Sequence, residues 1–395
     1  MQSKWRSFLF LLPAIPALLY YPLTQRLRGS FKNDHFLPHP SFSIEGYYTR
    51  ITADNGDTIL AIFSTVRNKT ASKPHFLHFS YIPASSQTER IVADVYPDTI
   101  KPELFADTEE GFSLTGIDGE ETNQQKIFGR YNIGEDRQSY HITVPSNDGS
   151  DLDVTIRLSD RTQWSDTNPR GTPEGIFSSL GWVLPIHWHA LSTKSKAEFT
   201  IKKDGQTVAK GTGWAHVEKN WGVSFPSAWI WMQSFKLSDT GKPPTASFAL
   251  AGGSILGQKA YLMGYRSVKD GVSWDFRPAY TLMPFGVRTP FISEYVDGKS
   301  GIFRLSTRTF TRKLELEAIG PRDHEGYLPL SCPLGTGHDN TFAYETFDAE
   351  INVKAYEKED AVLGFLGGSW RLVSETTFER SALEFGGAYS FKAAK

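Results

Sequence analysis

The sequence predicts an all-β protein: two antiparallel β-barrel or sandwich domains preceded by an N-terminal hydrophobic anchor helix. Three observations carry this. From residue 40 onward, short runs rich in Val, Ile, Thr and aromatics alternate with Gly, Pro, Asn and Asp. No sustained helical period follows the first 30 residues. The 395 residues include 10 Trp, 16 Tyr and 27 Phe, a ring content that favours strands and apolar pockets.

The first 30 residues stand apart. Lys4 and Arg6 precede FLFLLPAIPALLYYPL at 8–23, a positive start followed by an apolar run. The run is shorter than the ~20 residues that comfortably span a bilayer. Pro13, Pro16 and Pro22 interrupt it, and Arg26 and Arg28 follow where a cleavage site would present small residues. The expectation is an uncleaved anchor in the endomembrane system, at the endoplasmic reticulum. Cleavage would instead make the protein secreted. Asn68-Lys69-Thr70 is a glycosylation sequon consistent with either route.

The strands then follow in order. SIEGYYTRIT (43–52), TILAIFSTV (58–66), HFLHFSYI (75–82), SYHITVP (139–145) and LDVTIRLS (152–159) fill the first half. AEFTIKK (197–203), SFALAGG (247–253), KAYLMGYR (259–266), TRTFTRKLELEAIG (307–320) and EINVKAY (350–356) fill the second. Asn147-Asp148-Gly149 and Asp204-Gly205 supply hairpin turns. Short helices are expected near 101–107 and at 173–180, where Pro173 and Glu174 suit a first turn. In all, about 18 to 20 strands fit two domains of ordinary strand length. With the boundary near 210, these are 40–210 and 211–395.

Composition excludes several functions. The net charge is −2 with no large basic block, so nucleic acid is not an expected partner. Cys332 is the sole cysteine, so no intrachain disulfide or thiolate cluster forms. There is no phosphate-cradling glycine loop and no nucleophile elbow. No cofactor is expected, and the protein is read as a monomer that takes an apolar small molecule.

The chemistry concentrates in GWAHVEKNWGVSFPSAWIWMQSF, residues 213–235. With a period of two, Trp214, His216, Glu218 and Asn220 share one strand face, and Lys219 and Trp221 the other. Trp229, Trp231, Gln233 and Phe235 share a face of the next strand. A polar row facing a barrel interior would set an acid or base inside an apolar cavity. A buried ion pair joining two domains is the alternative, since a buried charge is either paired or shifted in pKa. His187 and His189 alternate in PIHWHAL, a spacing that suits two zinc ligands. No third ligand stands at a telling distance, so no metal is expected and the pair is read as lining a pocket. Glu45, Tyr47 and Thr49 point one way in SIEGYYTR.

VEKNWGVSFPSAWIWMQSF resembles the hallmark of the tocopherol cyclase family, a Glu-Lys-Asn-Trp-Gly run followed by Pro, Trp-x-Trp and Gln. IEGYYTRI resembles that family's early Glu-Gly-Trp-Tyr motif, with Tyr47 in place of Trp. PIHWHAL, ETFDAEINVKAYEK (345–358) and SALEFGG (381–387) resemble further family segments, in order along the chain. The resemblance implies two lipocalin-like β-barrel domains, an architecture shared with carotenoid hydratases and fungal Diels-Alderases. It implies intramolecular cyclisation of a long, apolar, unsaturated molecule in natural-product biosynthesis. The chemistry would be either protonation of an alkene or an intramolecular Diels-Alder reaction, and a lipid carrier is the non-catalytic alternative. On this reading the catalytic candidates are Glu218, Glu45, Lys219 and Asn220. Tyr47, His187, His189, Trp214, His216, Trp221, Trp229, Trp231 and Gln233 would line the substrate site.

Overall fold

The computed structural model describes residues 37–392 apart from 86–87, 106–110, 120–124, 135–136, 166–170, 180–183, 240, 256, 323, 339–340 and 361–366. The expected anchor at 1–30 lies outside the described residues. Among those described, no helix is long and apolar enough to cross a membrane.

Among the described residues, twenty-two strands form two antiparallel sheets. The first comprises β1 (Ile44–Ala53), β2 (Thr58–Val66), β3 (His75–Ile82), β4 (Ile91–Val95), β5 (Thr99–Leu104), β6 (Gly111–Asp118), β7 (Lys126–Gly134), β8 (Gln138–Pro145), β9 (Asp151–Thr162), β10 (Ile186–Lys203) and β11 (Gln206–Gly222). Its order is β4-β3-β2-β1-β11-β10-β9-β8-β7-β6-β5. The second comprises β12 (Ala228–Lys236), β13 (Ala246–Ile255), β14 (Gln258–Ser267), β15 (Val272–Phe276), β16 (Leu282–Met283), β17 (Ile292–Asp297), β18 (Ile302–Arg308), β19 (Arg312–Ile319), β20 (Leu328–Ser331), β21 (Thr341–Glu359) and β22 (Ser369–Gly387). Its path is β15-β14-β13-β12-β22-β21-β19-β18-β17, with β16 on β14 and β20 on β21. The chain passes from one sheet to the other at 223–227.

Both sheets are curled but open: among the described residues no ladder joins β4 to β5 or β15 to β17. Three local expectations change. Of the helix expected near 101–107, residues 101–104 instead belong to an edge strand, Thr99–Leu104, and 106–107 lie outside the described residues. An edge tolerates Pro102, because the missing N–H faces away from the ladder. The run at 307–320 is two strands of a hairpin, turned where Thr309 N–H donates to Arg312 C=O at 2.7 Å. At 173–180 the helix shrinks to one 3-10 turn, Gly175–Ser179.

Each sheet wraps its own apolar core. Tyr47, Ile51, Ala215 and Val217 belong to the first, and Ile230, Met232, Leu383 and Phe385 to the second. The alternate residues of the same strands build a third cluster: Tyr48, Leu60, Trp188, Trp229, Trp231, Phe347 and Ala382. The central strands β1 and β12 are therefore buried on both faces, and the third cluster is where the two sheets pack together.

Arg50 stitches that interface and is wholly buried. It donates to Gln233 C=O at 3.0 Å, to Gln233 Oε1 at 2.6 Å and to Arg380 C=O at 2.7 Å. Burial lowers its pKa to about 10, and the guanidinium stays charged. Replacing Arg50 by Met removes three charge-assisted bonds that cross the interface. Urea unfolding of Arg50→Met should show a loss of about 2–4 kcal/mol. A loss below about 1 kcal/mol would show that the sheets hold together without it.

Candidate active site

The β11 strand pairs with β1 on one side and β10 on the other, which fixes what surrounds Glu218. Tyr48 and Ala190 are its cross-strand neighbours, and Gly46 and Trp188 are those of Asn220. Glu218 and Asn220 thus present the polar row that alternation predicts. The row does not enter a barrel interior. It faces the second sheet, across a cavity of 420 Å³ walled by both. Glu218, Asn220, Tyr48, Trp188 and Ile62 come from the first sheet, and Trp229, Trp231, Leu262, Cys332 and Glu384 from the second. The volume lies within the range usual for small-molecule sites.

Two glycines shape the walls. A Cβ at Gly386 would collide with the Trp229 indole, so the glycine lets that ring lie across β22. There Trp229 Nε1–H donates to Glu384 Oε1. A Cβ at Gly46 would sit 2.9 Å from Asn220 Oδ1, so the glycine leaves room for that amide over β1.

The buried carboxylates Glu218 and Glu384 line the cavity, and Glu345 is buried next to Glu384 outside the lining. Glu218 Oε2 accepts from Trp231 Nε1–H at 2.9 Å and lies 2.9 Å from His216 Nε2. Glu345 and Glu384 stand directly opposite each other in the β21–β22 ladder. Tyr48 O–H donates to Glu345 Oε1 at 2.6 Å. Burial pushes the Glu384 carboxyl up to about 7; the Trp229 N–H opposes this, and the Glu218 charge adds to it. Burial, and next the facing Glu384, push Glu345 well above the ordinary range. Like charges opposed across a ladder destabilise it, so at least one of the pair keeps its proton.

Other acids are tied to basic partners. Glu45 is buried but outside the cavity wall. It pairs with Arg67 at 2.5 Å and Lys219 at 3.0 Å, and accepts from His39 N–H at 2.8 Å and Tyr47 O–H at 3.1 Å. Burial alone would raise its pKa, but these partners hold it well below the carboxylate range. Lys219 lies on the face away from Glu218, fully buried, with Nζ 4.9 Å from the Tyr47 ring and 5.1 Å from the Trp221 ring. Tyr47 borders the cavity, while its ring packs on Phe112 and Tyr131 in the first core.

His187 and His189 sit behind the wall. His187 Nδ1 is 2.8 Å from Glu174 Oε2 and His189 Nε2 is 3.5 Å from it, while Trp188 N–H donates to Glu174 Oε1 at 2.7 Å. Glu174 is the third group that strand spacing did not reveal; the ligand atoms of the three residues lie within 4.8 Å of one another, close enough to hold a metal ion. Burial pushes Glu174 up, but His189 and His187 outweigh it and hold the carboxyl at about 2. Trp221 stacks between His39 and His187, and Gln233 is bonded to Arg50. His216 reaches the cavity only through Glu218, and Trp214 is buried beneath Lys194 at 5.9 Å. Asn68 is exposed, its amide donating to Gly335 C=O at 2.8 Å.

Glu345, Glu384, Tyr48 and Trp188 were not singled out in the sequence. SALEFGG held a signal: Glu384 is the one charge among apolar and glycine residues, sharing its face with Ala382 and Gly386.

The fold and the site together define a double-sheet β protein with an apolar cavity at the sheet interface and protonatable carboxylates in its wall. The chain belongs to the tocopherol cyclase-like family, whose pattern matches residues 40–387. Membership supports a cyclase or a related enzyme. The fold is similar to the crystal structure of CghA over 89% of this chain and 90% of that one, with a TM-score of 0.52 and 10% identity. It is also similar to CghA with Sch210972, over 87% and 88%, with a TM-score of 0.51 and 10% identity. A weaker likeness, with a TM-score of 0.41 and 9% identity over 91% and 93%, is to kievitone hydratase from Nectria haematococca. At these identities the likeness is one of fold. None of the curated proteins compared with the chain matches it in sequence.

The raised Glu384 carboxyl has a stability signature. An ordinary glutamate titrates near 4.5, this one near 7. The stability linked to its proton is fully present below about 4.5 and is lost as pH rises through about 7. The loss is on the order of 3 kcal/mol. Glu384→Gln stays neutral at every pH. Its melting temperature should exceed the parent's at pH 8.5 and match it at pH 4.5. An equal difference at both pH values would show that Glu384 does not hold its proton near neutrality.

Proposed function

We propose that the chain is an intramolecular cyclase that closes a ring in a long apolar polyene or prenylated substrate, with Glu384 as the proton donor. The observation that carries this reading is an apolar-walled cavity with a carboxyl in its wall whose pKa is lifted to about 7. A donor poised near the working pH combines the right protonation state with the strongest driving force.

The steps balance as an isomerisation. The Glu384 O–H proton passes to an alkene carbon, using the π pair, and leaves a carboxylate and a tertiary cation. A lone pair on a hydroxyl of the same molecule forms the new C–O bond. That oxygen's proton leaves to Glu218, whose partners are His216 and the Trp231 N–H. Return of the proton from Glu218 to Glu384 restores the starting state. Trp229 and Trp231 also border the cavity, and their π faces can each stabilise the cation by roughly 0.5–2 kcal/mol.

Deuterated water tests the chemistry, with a geranylgeranylated hydroquinone as probe. Proton-initiated closure yields one carbon-bound deuterium per ring, and Glu384→Gln should lower turnover by about 10²–10⁴-fold while the probe still binds. A ring closed without deuterium overturns the acid role.

A second reading is the intramolecular Diels-Alder reaction, in which the cavity folds the polyene and a donor polarises a carbonyl. Trp188 favours it: its ring is buried in the wall, and its Nε1–H has no partner among the described residues. Product free of deuterium, together with unimpaired turnover in Glu384→Gln, would select this reading. A lipid carrier would bind the probe and turn over nothing.

A further inference from the structure

Among the described residues, half-exposed members of the cavity wall gather at one end of the strands. Its deep members Glu218, Trp231, Trp188 and Glu384 are buried, whereas Phe225, Pro226, Leu184, Gln258 and Leu282 are half-exposed. These mark the mouth, beside the turn that links the two sheets. Around it stand apolar side chains that no packing need explains. Val223 is 55% exposed, Phe285 58% and Val287 64%. Val223 N–H donates to the wall residue Pro185 from the first-sheet side, and Phe285 N–H donates to the wall residue Gln258 from the second. Phe285 also has a φ of 55°, a left-handed backbone that a bulky residue rarely adopts. Strained backbone and a solvated ring are both unfavourable, which points to a use for a ring held at that spot. Exposed Arg288 follows immediately. Apolar knobs flanked by a cation suit the boundary between acyl chains and lipid headgroups.

A second feature points the same way. The chain bears the apolar run at 8–23, and the described residues begin at Leu37, whose C=O accepts from Lys219 Nζ at 2.5 Å. Ile44, Gly222 and Ile186 are paired in one row at this strand end, so Leu37–Phe42 leaves the fold on the side that carries the mouth. The 13 residues between 23 and 37 reach at most about 45 Å. A bilayer held by the apolar run is within reach of the rim.

We propose that Val223, Phe285, Val287 and Arg288 form a lipid-docking rim that seats the cavity mouth on a bilayer surface, so that an apolar substrate passes from membrane to cavity without crossing water. The rim stands on its own geometry and holds whether the cavity closes rings or only carries its ligand.

The test uses the full chain with an environment-sensitive fluorophore at Val287→Cys. Cys332, the native thiol, is buried, which leaves the introduced cysteine as the site of labelling. Val208→Cys is the control: it is 43% exposed at the start of β11, about 45 Å of strand from Gly222. With vesicles of phosphatidylcholine and phosphatidylserine, the label at 287 should shift to the blue and be quenched by spin-labelled lipid, while that at 208 stays aqueous. In Phe285→Asp, uptake of cis-parinaric acid from the same vesicles should slow about tenfold, with its binding from detergent unchanged. A label at 287 that stays aqueous overturns the proposal, whether or not the protein sediments with the vesicles. So does a shift that appears without vesicles and grows with protein concentration, which would make the rim a contact between copies of the chain. Neither readout depends on turnover, so failure of ring closure leaves this result intact.

Discussion

The structure depends on how its buried carboxylates are kept from becoming bare charges. An ionised carboxylate deprived of water is tolerated only beside a cation or several donors. Glu45 has Arg67 and Lys219, and Glu174 has two histidines and a backbone N–H. Their pKa values fall, and these acids act as fixed anions that hold the strand ends and the 172–175 segment in place. Glu345 and Glu384 receive only a neutral O–H and a neutral N–H, and they face each other. Their pKa values rise. The same desolvation therefore yields structural anions or reactive acids, and the partner decides which.

That division explains the placing of the tryptophans. Trp229 and Trp231 lie two residues apart on one face of β12, and each spends its N–H on a different acid. Their faces remain available to the cavity. A guanidinium in either place would satisfy the carboxylate better and would also strip it of its proton at working pH. An indole satisfies one lone pair and adds no charge, which leaves the acid competent. Arg50 serves the same interface from one strand turn away, with its bonds directed to carbonyl groups and an amide oxygen.

Most strands were legible in the sequence because their signal is local. Thr58–Val66 and His75–Ile82 can be read to the residue from alternation and flanking turn residues. The separation of Glu218 from Lys219 is equally local, since a period of two puts neighbours on opposite faces. What local pattern cannot say is which face looks where. The row from His216 to Asn220 is compatible with a barrel interior or with a sheet interface, because both bury it. That Glu345 faces Glu384 was invisible for a related reason: the pairing is set by register between two strands and not by any local pattern. The segment around Pro102 shows no alternation in its burial, and it lies on a sheet edge, where a proline is tolerated.

The sheet interface is also the better place for this chemistry than either core. A core wrapped by a single curled sheet is lined by residues of that one sheet, and the first is already filled by rings such as the Tyr131–Tyr140 stack at 3.9 Å. Opening a cavity there would remove packing that the sheet needs. Between two sheets, small residues such as Gly46, Ala251 and Gly252 can hold the facing walls apart while each sheet keeps its own core intact. The glycine at 46 makes the space that the amide of Asn220 occupies, two residues along the same face as Glu218. Stability and site are thus carried largely by alternate residues of the same strands, which lets the cavity wall vary while Ile51, Ala215 and Val217 go on holding the fold.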